Sequence, residues 1–216
     1  MNEPGRRTIV KVCGLTRVED ARAAADAGAD WLGFIVRGES PRRIEPAAAA
    51  AIVAALPEAV AVAVMVGVGP DEAMELARAI GARRVQIHRA DPADWPREFA
   101  LPVTFAVPVA DDGRLTSRLP APEHLVMLDR AHETKAGGTG ETFPWESAAA
   151  LAVRRSVILA GGLDDQNVAE ALERVRPFGV DAASRLEREP GIKDHERVRR
   201  FVAAVRAHDA RQRAAS

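Results

Sequence analysis

Cysteine is almost missing from this chain. Cys13 is the only one in 216 residues, which excludes an internal disulfide framework and fits a reducing compartment. A basic excess is missing as well: 30 lysines and arginines face 31 aspartates and glutamates, for a formal net charge of −1. The basic residues are scattered rather than run together, so nothing points to a nucleic-acid partner. No apolar run approaches the roughly 20 residues of a membrane span. The opening Met1-Asn2-Glu3-Pro4-Gly5-Arg6-Arg7 lacks the apolar core of a signal peptide. The expectation is a soluble, cytoplasmic protein without a membrane partner. Linker-like composition shifts and exact internal repeats are absent too, so residues 1–216 read as one domain, a length common for α/β barrels. Lysine occurs only as Lys11, Lys135 and Lys193, so each invites the question of why it is not arginine.

What the chain does have is alternation. Short apolar runs at 9–13, 31–36, 59–66, 84–88, 103–107, 125–129, 156–160 and 179–183 read as strands. Helical patterns separate them: 18–27, 46–56, from 70 onward, a short one at 92–99, then 145–153, 165–175 and 194–208. In the last of these, Val198, Phe201, Val202 and Val205 share one face. The segment 110–122, with Gly113, Pro120 and Pro122, is the poorest helical pattern, and 206–216 reads as a fraying tail. Strands apolar on both faces belong to a covered parallel sheet. Eight βα units favour an α/β fold of the closed (β/α)8 TIM-barrel type over an open doubly wound sheet.

In such barrels the working residues sit at the C-terminal ends of the strands. That selects Cys13, Arg42, His88, Asp129 and the glycine-bearing ends of strands seven and eight. Each has a plainer reading. Cys13 is a small buried filler or a base at the mouth of the sheet. Asp129 caps a loop or acts as an acid. Gly161-Gly162 forms a tight turn or lets backbone amides approach an anion. Arg42 or Arg43 forks onto a ligand carboxylate or solvates the surface. His88 is a hydrogen-bonding support or a satisfied polar group. Gly137-Gly138-Thr139-Gly140, after Lys135 in the long polar loop 130–144, is a lid, a phosphate loop or a linker.

Taken in order, several segments resemble phosphoribosylanthranilate isomerase of tryptophan biosynthesis. They are Lys11-Val12-Cys13-Gly14-Leu15-Thr16, Ser40-Pro41-Arg42, Val85-Gln86-Ile87-His88, Leu128-Asp129, Gly137-Gly138-Thr139-Gly140, Leu159-Ala160-Gly161-Gly162-Leu163, Val180-Asp181, and Glu187 with Pro190-Gly191 and Lys193-Asp194. The resemblance implies a (β/α)8 barrel and an Amadori rearrangement without metal or cofactor. Its general base maps onto Cys13 and its general acid onto Asp129. The residue holding the anthranilate carboxylate maps onto Arg42, and His88 is carried over as a substrate-binding position. The phosphate falls near Gly161, Gly162 and Ser184. A phosphorylated small molecule is the implied partner, in a monomer or homodimer. A cysteine base needs a lowered pKa, which Lys11 or nearby amides would supply.

Three positions depart from the family's pattern: Arg89 replaces a glycine after the histidine, Ala63-Val64-Met65 replaces Gly-Val-Phe, and Arg185 replaces the glycine of Ser-Ser-Gly-Val-Glu. Two rivals follow. One is an isomerase of a related phosphoribosyl substrate, such as the histidine-pathway barrel, which uses aspartates in both roles. The other is a degenerate barrel that binds a phosphate ligand or a partner protein.

Overall fold

The computed structural model describes residues 7–130 and 144–215. The Lys135, Gly137-Gly138-Thr139-Gly140 and Phe143 positions lie outside them. Eight parallel strands close in sequence order into a barrel: β1 (Ile9–Cys13), β2 (Trp31–Ile35), β3 (Val60–Val66), β4 (Arg84–His88), β5 (Val103–Val109), β6 (Leu125–Arg130), β7 (Val157–Leu159) and β8 (Gly179–Ala182). The helices α1 (Val18–Asp26), α2 (Pro46–Ala54), α3 (Pro70–Ile80), α4 (Trp145–Ala152), α5 (Val168–Val175) and α6 (His195–Ala214) surround it.

The near-continuous apolar strands are explained by two separate cores. Val10, Val12, Leu32, Phe34, Met65, Val85, Leu128 and Val180 point outward into the large core beneath the helices. Their neighbours one residue along alternate to the inside. There Cys13, Trp31, Val62, Val64, Met127, Ile158 and Ala160 form a smaller cluster. At the N-terminal end the Arg84 guanidinium covers the Trp31 ring, 4.1 Å from its centroid. The departure at Met65 is a packing exchange: the side chain is fully buried on the helix side.

Two helical expectations fail. Residues 110–122 form a tight turn in which Val109 bridges back to Leu115, because Gly113, Pro120 and Pro122 deny a helix its backbone ladder. At 92–99 only one 3-10 turn forms, Pro92–Asp94, capped by Asp91 accepting from the Ala93 N–H at 2.9 Å. Trp95 covers that flank of the barrel instead, edge-on to Phe105 at 5.4 Å and 5.2 Å from Phe99.

The tail, in contrast, does not fray where expected, since α6 runs on to Ala214. Arg206 donates to the carbonyls of Thr8 and Gly28 and to Asp30, and Asp209 accepts from the Thr8 N–H at 3.1 Å and its hydroxyl at 2.7 Å. These buried and part-buried bonds tie the helix to the start of β1 and to the turn before β2. A short hairpin, β9 (Glu187–Glu189) and β10 (Ile192–Lys193), follows β8 and was not anticipated.

Arg89 leaves β4 with φ 53, in the left-handed region where side chains pay about 1–2 kcal/mol. Arg89→Gly removes that cost but loosens the unfolded chain by about 0.4–1 kcal/mol. The net gain expected is roughly 0.5–1 kcal/mol, a rise in Tm of about 1–3 °C for a chain of this size. A calorimetric Tm that stays level or falls would show that the Arg89 side chain makes contacts that offset its backbone.

Candidate active site

Closure of the barrel decides what faces the mouth. In the β1–β8 pairing Lys11 stands opposite Asp181, and both side chains point inward. The ammonium donates to Asp181 Oδ1 at 2.8 Å, with Lys11 only 1% exposed. One inward step further along β1 comes Cys13, opposite Gly33 of β2. A Cβ on Gly33 would stand 2.9 Å from Cys13 Sγ and 3.0 Å from Lys11 Nζ. Only glycine therefore leaves room for the thiol and the ammonium side by side.

Burial works on each of these groups, and the neighbours decide the outcome. It pushes the Cys13 thiol upward, and the Lys11 ammonium beside it only partly opposes this. Lys11 is one of the two sources the sequence offered for a lowered thiol, and it does tune Cys13, but burial outweighs it and Asp181 both claims the lysine and adds a repelling charge of its own. Lys11 is also desolvated, yet Asp181 keeps its pKa above the ordinary value.

Asp129, at the end of β6, is pushed up to about 7 by burial first and by the Asp181 carboxylate second. Its Oδ1 accepts the Arg130 N–H at 2.9 Å. A carboxyl with this pKa both holds and gives up a proton near neutrality. His88 is driven down to about 4 by burial, Lys11 and Arg89, so it is neutral. The Gln86 amide donates to its Nε2 at 2.8 Å, which leaves Gln86 Oε1 without a hydrogen-bond partner among the described residues.

Arg42 reaches over the mouth from the loop after β2. Its Nε and Nη2 donate to both oxygens of Glu187, at 2.8 Å to 3.0 Å. Lys193 Nζ donates to the same carboxylate at 2.8 Å and to the Ala183 carbonyl at 3.0 Å. Burial opposes the Glu187 charge, but Arg42 and Lys193 outweigh it and hold the carboxyl below its ordinary range. All three residues are buried. Two basic side chains share one carboxylate, and burial lowers the Lys193 pKa while Glu187 opposes that shift.

On the β7–β8 side a shallow open cleft is lined by Asp129, Ala160 to Leu163, Asp181 and Ala182 to Arg185. Gly161 and Gly162 have φ 87 and 65, a turn that residues with side chains seldom adopt. Asn167 fixes that turn, donating to the Gly162 carbonyl at 2.8 Å and accepting the Asp164 N–H at 3.0 Å. Ser184 and Arg185 start the 3-10 turn Ser184–Leu186 that faces it.

The candidates therefore fall into three neighbouring groups. Cys13 lies beside Lys11, Asp129 opens onto the glycine cleft with Gly161, Gly162 and Ser184, and Arg42 sits in its own charged cluster. His88 lies apart from the cleft wall. The residues that sequence reasoning did not select as candidates are Asp181, Glu187 and Lys193. Two signals were available: all three lie in segments that carry the family resemblance, and Lys193 is one of only three lysines.

Comparison with known proteins points one way. The family model for N-(5'phosphoribosyl)anthranilate (PRA) isomerase matches residues 10–204. An N-(5'-phosphoribosyl)anthranilate isomerase of Rubrobacter xylanophilus is 43% identical over 203 residues, 92% of this chain and 98% of that protein. The phosphoribosyl anthranilate isomerase structure from Thermotoga maritima superposes with a TM-score of 0.82 at 31% identity, covering 93% of this chain and 99% of that one. A phosphoribosyl anthranilate isomerase solved in complex with reduced 1-(o-carboxyphenylamino)-1-deoxyribulose 5-phosphate gives 0.78 at 30% identity, with the same coverage.

The raised Asp129 pKa has a consequence for stability. Between the ordinary 3.8 and the folded value of about 7, the unfolded carboxyl has lost its proton while the folded one keeps it. Stability from this group is therefore full below 3.8 and falls as pH rises toward 7. Asp129→Asn still accepts from Arg130 and does not titrate. Its Tm relative to the parent should be more favourable at about pH 8 than at about pH 5. A difference that does not change with pH would place Asp129 in ordinary, solvated surroundings.

Proposed function

The chain belongs to the N-(5'-phosphoribosyl)anthranilate isomerase family, and from that premise we propose a division of labour for its own residues. It is an isomerase of tryptophan biosynthesis. In our reading it converts N-(5-phosphoribosyl)anthranilate to 1-(2-carboxyphenylamino)-1-deoxyribulose 5-phosphate, with Asp129 as acid and Cys13 as base. The observation that carries this reading is Asp129 itself. It is a carboxyl kept protonatable near neutrality at a strand end, opening onto a glycine-lined cleft.

The chemistry needs one acid and one base. Asp129 gives its proton to the furanose ring oxygen as the bond from that oxygen to C1 breaks. The anthranilate nitrogen supplies the electron pair, which leaves a protonated Schiff base. The Cys13 thiolate then takes the proton from C2, and the C2–H electrons neutralise the iminium to give an enolamine. Tautomerisation moves a proton to C1 and leaves the ketone at C2. No atom is lost and no net redox change occurs.

The substrate's carboxylate fits Arg42, whose guanidinium Glu187 holds in place through its Nε and Nη2 edge. The phosphate fits the amides around Gly161, Gly162 and Ser184. His88, neutral and held by Gln86, serves as an uncharged hydrogen-bonding wall at the far side. A phosphorylated small molecule is then the partner, and a monomer or homodimer both suit the reading.

The working state carries one proton over the two groups: a protonated Asp129 and a thiolate Cys13. The alternative placement, thiol with carboxylate, has the same total and predominates, because burial holds the Cys13 thiol above its ordinary value while Asp129 stands near 7. With substrate generated in situ, kcat/KM should rise up to about pH 7, hold level, and fall only on the alkaline side, where the buried thiol loses its proton. Cys13→Ser should lower turnover by about 10²–10⁴-fold without loss of fold. Wild-type turnover in folded Cys13→Ser protein, or a pH profile with no limb near 7, would remove this pair from the mechanism.

A further inference from the structure

We propose that Asp20, buried on α1 outside the barrel wall, is the positioning residue for the Arg42 guanidinium. This rests on the reading of Arg42 as the holder of the substrate carboxylate. Asp20 is fully buried, and the acid–base chemistry makes no use of it. Its two oxygens have separate partners near the far end of the chain. Oδ2 accepts the Lys193 N–H at 3.0 Å, and Oδ1 meets His195 Nε2 at 2.7 Å. Those partners flank Asp194, the residue that caps α6 by accepting the Glu196 and Arg197 N–H groups. One carboxylate therefore fixes the junction at which β10 passes into α6.

The grip on Arg42 hangs from that junction. The β9–β10 pairing shifts register between Ile192 and Lys193, so the ladder alone does not set where Lys193 stands, and the Asp20 bond does. From there the fully buried Lys193 side chain reaches Glu187 Oε1 at 2.8 Å and the Ala183 carbonyl at 3.0 Å. Glu187 in turn accepts from Nε and Nη2 of Arg42. On its other side the arginine stem lies against Gly14, where a Cβ would stand 2.6 Å from Arg42 Cδ. The loop after β1 thus holds the stem, and the hairpin holds the head. A guanidinium recognises a carboxylate in the plane of its donors, so the place of Lys193 sets the aim of Arg42. The anthranilate carboxylate takes no part in the bonds that change, so lost aim is felt in binding rather than in chemistry.

The test compares two substrates generated in situ from ribose 5-phosphate, one with anthranilate and one with aniline, which lacks the carboxylate. The full chain should prefer the first, and Arg42→Ala should lower that ratio of kcat/KM values by about 10–100-fold. Asp20→Ala should lower it by about 5–20-fold, through KM, and should add nothing in the Arg42→Ala background. Asp20→Asn keeps an acceptor for the Lys193 N–H and a donor for a neutral imidazole, so most of the preference should survive. His195→Ala changes a side chain that is 34% exposed. It should give a smaller loss of the same kind, and it decides the outcome if Asp20→Ala does not fold. Equal losses on both substrates, with the preference kept, would make Asp20 an ordinary staple between α1 and α6. That result overturns the proposal and leaves Arg42 its role. No preference in the parent, or an unchanged one in Arg42→Ala, would overturn the carboxylate assignment and this proposal with it.

Discussion

The ion pair between Lys11 and Asp181 is made by the last pairing in the barrel, and the mouth is arranged around it. The two residues are 170 positions apart and meet only when β8 closes onto β1. Burying either charge alone would be costly, and removing one partner of such a pair leaves the other uncompensated. Closure of the sheet and neutralisation of the charges are therefore one event. Once made, the pair sets the electrostatics above it. Asp181 acts with burial to raise Asp129, while Lys11 resists that rise, depresses His88 and moderates the Cys13 thiol. A single contact thus biases three groups on three different strands.

The scarcity of lysine takes on physical meaning in this setting. Among the described residues the two lysines are Lys11 and Lys193, exposed by 1% and 0%, and both rank with the largest fully buried side chains. The cationic groups on the surface are arginines, such as Arg174 and Arg199 paired with neighbouring glutamates on exposed helix faces. Inside, a compact ammonium on an unbranched stem fits between strands where a planar guanidinium would need more room. Lys193 completes the second buried cluster by fixing Glu187, which in turn fixes Arg42. Backbone bonds support that chain of contacts, since the Lys193 N–H reaches Asp20 at 3.0 Å and Asp20 also meets His195 at 2.7 Å.

Much of the barrel was legible because it depends on periodicity. Eight apolar runs of the right length, alternating with helical patterns, are local features, and all eight strands lie where those runs lie. Cys13 and Asp129 were legible for the same reason, being the last polar positions of apolar strands. Asp181 was not, although it occupies a similar place, because its importance comes from a cross-barrel register. Local sequence carries no record of which residue will stand opposite another 170 positions away. Glu187 and Lys193 belong to a hairpin of five strand residues, too short to show a pattern. The reach of α6 to Ala214 was hidden because Arg206 and Asp209 look like tail residues until their partners at Thr8, Gly28 and Asp30 are known. The missing helix at 110–122 was the reverse case, where local glycine and proline did decide the outcome.

The distribution of rigid and variable positions follows from these dependencies. Lys11, Cys13, Asp129 and Asp181 are carried by strands, where the pleat fixes each side chain's direction and both flanking strands fix its height. A change there would disturb a buried charge balance with no solvent to absorb it. Arg185 and Arg89 stand one or more residues beyond the strand ends, where the side chain can turn to water and the backbone alone limits the choice. The two arginines show that this limit differs from one loop to the next. Position 185 lies outside the left-handed region, whereas position 89 carries a side chain in the left-handed conformation that follows β4. Substitution at the rim is thus governed by φ and by what the new side chain can reach. Substitution on the inner wall is governed by charge, and the pair that closes the barrel leaves little freedom there.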